Sequence, residues 1–328
     1  MKNITAFRRF VSISTALLLG TLVFPLALQG QTEADKPEAG DFPYYFSVSP
    51  AIGFLYGQGE EILYEDEGSG AYQSELLWDI KPLVYSGLVL DVSPKKNPGF
   101  FYSISLKFGF PITAGIMEDR DWLAWNGMLS HYSRHNSKIE EAWFHSFLGG
   151  ITLPLGSRVL LKPFLGAAYT HIKWNAFDGY TKYAKKDDLP LEDSDPEVPI
   201  SGEVVSYTQE WLVLHFGLSL SCAFHPRFSA GLSLRSSPLL YFTGVDEHHK
   251  RSIRYNDYIL GGLYLEPGGE FVFNFNKWFS AGLYVSWRYM RMLHGVSYEQ
   301  TGDGLYAGYP PGAAWQTLDS SLRALIRF

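Results

Sequence analysis

Two short stretches place ionisable side chains two residues apart. Met117-Glu118-Asp119-Arg120-Asp121-Trp122 carries carboxylates at 119 and 121, and Asp246-Glu247-His248-His249 carries a carboxylate and an imidazole at 246 and 248. In an extended chain, residues two apart share a face, so each stretch offers a polar pair side by side. An imidazole that acts as a base needs a carboxylate to hold its tautomer and stabilise its protonated form, and Asp246 can do this for His248. Asp119 or Asp121, facing the imidazole across a cleft, would hold a water against its free nitrogen. His248 then takes the water's proton while hydroxide attacks a peptide carbonyl. No nucleophilic side chain is needed. Spacing alone leaves the plainer reading open, because Asp-x-Asp and Asp-x-His pairs also arise by chance in solvated loops.

Other candidates are weaker. His249 falls on the opposite strand face from Asp246. Ser133 and His135 have the composition of a nucleophile pair, but they are read as lying in a loop with no oxyanion signal and receive supporting or structural roles. His131, His145, His171, His215, His225 and His294 show no metal-site spacing, and neither a metal nor an organic cofactor is called for. Cys222, the single cysteine, lies in an alternating run and reads as a small buried or lipid-facing residue; alone it excludes an intramolecular disulfide framework.

The elements that must position these groups are strands. Residues 1–30 read as a secretory signal peptide, with Lys2, Arg8 and Arg9 ahead of an apolar stretch, and residues 31–41 as a flexible polar leader. From 42 to 328 the dominant period is two. Tyr102, Ile104, Leu106, Phe108 and Phe110 alternate with small or polar residues. So do Phe228, Ala230, Leu232 and Leu234, then Phe279 through Tyr289, and Leu322, Ala324, Ile326 and Phe328 at the end. No later apolar run is long enough for a transmembrane helix. A net charge of −7 without a basic stripe gives no sign of a nucleic-acid partner. Short connections at 93–98, 155–158, 225–227 and 274–277 alternate with longer ones at 65–72, 118–138, 178–202, 247–257 and 299–312. Four short and five long connections make ten strands. With the signal and the closing aromatic, this predicts an all-β fold, a ten-stranded antiparallel transmembrane β-barrel of the bacterial outer membrane. Parity then puts both polar pairs on the rim that carries the long loops, the extracellular one. Inward Lys107, Arg235 and Arg288 are expected to fill a narrow lumen, against a passive porin.

The plan resembles the omptins, outer-membrane endopeptidases of Gram-negative bacteria. The resemblance rests on Met117-x-Asp119-x-Asp121-Trp122 and Asp246-Glu247-His248, with Ser133-Arg134-His135, Tyr207-x-Gln209 and Ser74-x-Leu76-x-Trp78 as further matches. It implies that Asp119, Asp121, Asp246 and His248 are catalytic, an aspartate pair opposite a His-Asp dyad with the attacking water between them. It also implies polypeptide substrates, cleavage near basic residues, and a substrate-binding acid at Glu61, with Glu60 as the alternative register. A second acid expected two residues before the dyad aspartate is replaced by Gly244, so a weaker basic preference is expected. Tyr169, His171 and Lys173 match the family's lipopolysaccharide cluster poorly, and outer-membrane lipid is the only lipid partner carried over. The competing class is a non-enzymatic barrel on the same scaffold, a surface adhesin or structural protein.

Overall fold

The computed structural model describes residues 43–66, 70–292 and 294–328, with the backbone alone at 112–114. The expected signal peptide and leader lie outside the described residues. The strands are β1 (Tyr44–Tyr64), β2 (Tyr72–Pro94), β3 (Gly99–Gly109), β4 (Ile112–Asp121), β5 (His131–Pro154), β6 (Val159–Tyr183), β7 (Glu197–Pro199), β8 (Glu203–His225), β9 (Phe228–His248), β10 (Ile253–Leu260), β11 (Leu263–Asn274), β12 (Phe279–Met292), β13 (Val296–Thr301), β14 (Gly304–Ala307) and β15 (Pro311–Arg327). They form ten antiparallel staves. β3 with β4 makes the third, β10 with β11 the eighth, and β15 pairs with β1 from Ser47↔Arg327 to Leu63↔Pro311 to close the ring. Closure leaves no open edge, so backbone groups facing lipid are satisfied by neighbouring strands.

The alternation resolves as an apolar exterior. Leu165, Leu232 and Leu322 are 69%, 69% and 61% exposed, and Phe54, Phe108, Leu218, Leu234, Leu283 and Ile326 join them. Such a band is costly in water and favourable in hydrocarbon. The ends of the described barrel, at Tyr44 and Arg327, and the four short turns lie at one end, the near end. At the far end the strands leave the belt behind: residues 58–64, 72–80, 115–121, 131–141, 203–211 and 244–257 carry no exposed large apolar side chain.

The interior has two regions. The near half holds a polar cavity of about 930 Å³. Lys107 bonds Asp319, which also accepts from the Tyr85 hydroxyl at 2.5 Å, while Arg288 and Arg235 lie 2.9 and 3.5 Å from Glu266. Lys107, Arg235 and Arg288 do point into the lumen, each paired with an acid, but they line the cavity rather than fill it. Cys222 lines this cavity rather than facing lipid. Above it, Trp78, Trp174, Tyr207 and Trp315 are fully buried and pack ring on ring: Trp78 and Trp174 each stack on Tyr207 at 5.7 and 6.2 Å, and Trp174 meets Trp315 at 6.1 Å. This apolar layer is not the polar lumen expected from a simple alternation. It makes a floor beneath the far rim.

Several connections are shorter than expected. β9 and β10 are joined by residues 249–252 alone, since pairing continues from Ile253↔His248 to Leu260↔Tyr241. Ile253, Tyr255, Asp257 and Ile259 share one face that turns inward, and burying it favours strand over loop. The 118–138 connection contracts to 122–130, which puts Ser133 and His135 on β5. The last long connection folds as the β13–β14 hairpin, and β13 pairs with β10.

Candidate active site

Asp119 and Asp121 sit on β4 between β2 and β5, opposite Leu76 and Ser74 on one side and Ser133 and His131 on the other. Asp246 and His248 sit on β9 between β8 and β10, opposite Tyr207 and Val205, and Tyr255 and Ile253. The third and seventh staves lie on opposite sides of the ring. The rim they share is narrow enough for their charges to interact. Burial, reinforced by the Asp121 charge and then by Asp246 across the cleft, holds Asp119 well above the ordinary carboxylate range; Arg251 and the Ser74 hydroxyl oppose this. Burial also raises Asp121, while Ser74, His131, Arg251 and His248 pull it down. The structure therefore brings together the four residues picked out in the sequence.

His248 is held on both ring nitrogens. Nε2 lies 2.6 Å from Asp246 Oδ2, and the Arg251 guanidinium donates to Nδ1 from the 249–252 turn. A guanidinium is a donor only, so Nδ1 accepts. The neutral ring then carries its proton on Nε2, and that N–H donates a hydrogen bond to Asp246 Oδ2. His249 is exposed, and its Nε2 meets Ser206 Oγ at 3.1 Å, away from the dyad, as strand parity requires.

Glu61, not Glu60, turns into the site. Glu61 is 1% exposed, and burial with the charges of Asp246, Asp257 and Asp119 raises it well above its usual range. Glu60 instead accepts a bond from Gln58 at 2.8 Å. Ser133 and His135 are buried beside the Asp pair, with His135 Nδ1 2.5 Å from the Asp178 carbonyl oxygen. That contact, on a backbone group, fits a structural role. On the outer wall, Lys173 is matched by Glu140 at 3.0 Å and His171 by Glu210 at 3.2 Å.

Three residues at the site were given no role there from sequence, Ser74 having been noted only within a strand motif. Ser74 touches both aspartates from β2. Arg251 is placed only by the tight β9–β10 turn. Asp257 lies directly opposite Gly244, is 1% exposed, and is pushed up to about 7 by burial, with the nearby Ser297 hydroxyl opposing the rise and the Asp246 charge adding to it. An acid at an inward position of Ile253-x-Tyr255-x-Asp257-x-Ile259 was the available signal for it. The rim is thus not one carboxylate short, as Gly244 had suggested.

The omptin family model matches residues 42–308. Comparison with curated proteins found no match. Among solved structures, the outer membrane protease OmpT from Escherichia coli aligns with a TM-score of 0.78 at 16% identity, covering 91% of this chain and 100% of that one. A likeness at that identity speaks for the fold. A major outer membrane protein from Thermus thermophilus covers 88% of this chain and 100% of its own at 12% identity, with a TM-score of 0.31 that carries no structural argument. The family match spans nearly all of the barrel, from its first strand into its last loop, and on that match the chain belongs to the omptin family.

Proposed function

We propose that the protein is an outer-membrane endopeptidase whose far rim faces the cell exterior and whose reaction is attack of an activated water on a peptide bond. The observation that carries this reading is the His248–Asp246 contact of 2.6 Å, buried at a rim where Asp119 and Asp121 face it closely enough to interact electrically. The site is rooted on strands above an aromatic floor, which fixes its geometry better than loops would.

In this reading Arg251 swings off His248 Nδ1 when substrate enters. Its residue is exposed and lies in a four-residue turn, so the movement needs no change in the barrel. A water takes its place and donates to Nδ1, and an ionised carboxylate of the Asp pair accepts its second hydrogen. His248 removes a proton as the oxygen adds to the carbonyl carbon. The imidazolium, stabilised by Asp246, then protonates the departing amine. Attack by a water rather than a side chain explains why neither Ser133 nor Cys222 needs to reach the cleft.

The test is cleavage of a quenched peptide containing paired basic residues by refolded protein. His248→Ala and Asp119→Ala should each abolish cleavage while the heat-modifiable mobility of the folded barrel persists. Full activity in both variants would overturn the mechanism.

A further inference from the structure

The wall of the barrel is uneven at the far rim. β13 carries the ninth stave upward and pairs with β10 from Tyr258↔Val296 to Arg254↔Gln300. β14 carries the tenth and pairs with β13 from Tyr298↔Ala307 to Thr301↔Gly304. The first stave stops lower. The Tyr64 N–H donates to the Pro310 carbonyl, then Glu65 bonds Ala71 and the chain turns back into β2. Above that level, among the described residues, β14 pairs with β13 alone and its other edge is open.

The hairpin pattern shows which groups this edge presents. Along a strand in an antiparallel pair, successive residues turn their N–H and C=O groups alternately to one side and the other. The Gly308 N–H donates to the Ser297 carbonyl at 3.0 Å, so Gly308, Tyr306 and Gly304 turn their backbone groups to β13. Leu305 and Ala307 turn theirs outward. All of β14 is exposed, and the edge thus offers two donors and two acceptors in the spacing of a strand. Though short, β14 carries neither the charge nor the proline that commonly blunts an edge. Such an edge is a template for another extended chain.

Its place in the ring says what would use it. Asp246, Tyr255, Glu299 and Tyr306 are aligned across β9, β10, β13 and β14, so the edge stands level with the dyad. The dyad lies on the seventh stave and Asp119 and Asp121 on the third, and the tenth is three staves from each. A chain lying between the two pairs therefore leaves the cleft on one side over the tenth stave, where the wall drops from β14 to the end of β1.

We propose that the outward edge of β14, at Leu305 and Ala307, is an exosite that holds a polypeptide substrate beyond the cut by adding it as a strand. This rests on the peptidase reading, and it gives that site a partner in extended conformation, recognised through its backbone.

The test compares a short core peptide centred on paired basic residues with the same core lengthened at either end. Binding to detergent-folded His248→Ala protein is read by fluorescence anisotropy, and kcat/KM is read with His248 in place. One lengthened peptide should bind about tenfold tighter than the core, the gain expected from a few added backbone hydrogen bonds. Leu305→Pro removes an outward N–H without taking a bond from β13 and should erase that gain, while kcat/KM on the core peptide holds. Leu305→Ala keeps the N–H and should keep the gain. N-methylation along the lengthened segment should weaken binding at every second residue, because only alternate N–H groups face the edge. If Leu305→Pro also lowers kcat/KM on the core peptide, the hairpin has moved, and the N-methyl scan on protein with β14 intact decides. Equal binding of core and lengthened peptides, a gain that survives Leu305→Pro, or N-methyl effects without the two-residue period would overturn the exosite. So would a dimer in detergent that Leu305→Pro dissolves, which would assign the edge to a second copy of the chain. If the wild type cleaves none of the peptides, the peptidase reading fails, and the anisotropy measurements still decide the exosite.

Discussion

Asp246→Asn isolates what the dyad carboxylate contributes. The substitution preserves shape. The asparagine oxygen can accept from His248 Nε2 where Asp246 Oδ2 now does at 2.6 Å, and Nδ1 can still accept from Arg251 or water, so the tautomer survives. The amide nitrogen takes the place of Oδ1, which has no partner now and would face the acids Glu61 and Asp257. Only the negative charge is lost. That charge matters most when the imidazole becomes an imidazolium, that is, in the transition state. With charge centres ~4 Å apart and an effective dielectric of about 20, the missing attraction is about 4 kcal/mol. At 1.36 kcal/mol per decade this corresponds to a loss of roughly 10³-fold in rate. The loss should appear in kcat with KM little changed, because the interaction strengthens only as the proton transfers. The assay is steady-state cleavage of the quenched peptide by refolded wild type and variant, matched for heat-modifiable mobility. A variant keeping more than about a tenth of wild-type kcat would show that Asp246 does not stabilise a cation on His248, and the general-base assignment would fall with it.

Removing the Arg251 charge should shift the pH dependence in a known direction. Arg251 lowers the proton affinity of both Asp119 and Asp121, so Arg251→Met lets both rise further, and the acidic limb of kcat/KM moves to higher pH. A limb that stays in place or moves down would mean that the guanidinium does not act on the reacting groups. The aromatic floor makes a separate stability prediction. Trp174 is fully buried against Trp78, Tyr207 and Trp315, and its indole N–H donates to the Asp79 carbonyl at 3.3 Å. Trp174→Ala should cost about 3–5 kcal/mol in urea unfolding of the detergent-folded barrel. A loss under about 1 kcal/mol would show that the layer can close over the gap.

Which parts of the site were legible in the sequence follows from how local their causes are. The Asp119–Asp121 and Asp246–His248 pairs rest on a two-residue spacing within single strands, and any extended backbone puts such residues on one face. Asp257 was hidden because it looked like the end of a loop. Its role depends on the tight 249–252 turn, which sets the register that places it against Gly244. Arg251 was hidden for the same reason, since a three-residue separation from His248 becomes a contact only when the chain reverses between them. The aromatic floor was missed because Trp78, Trp174, Tyr207 and Trp315 come from four staves, and no one stave reveals that their inward positions meet at one height.

The amino-acid sequence by itself determined the period-two exterior, the ten staves and the family, and it placed both polar pairs at the same end of the barrel. These follow from alternation and parity, which are properties of the chain read in order. Only the tertiary structure decided that Glu61 rather than Glu60 enters the site, that Arg251 rests on His248, and that a carboxylate absent at 244 returns at 257. Those facts depend on register between strands. A shift of one residue turns a side chain to the other face of the wall, and the register is set by turn geometry and by which face can be buried.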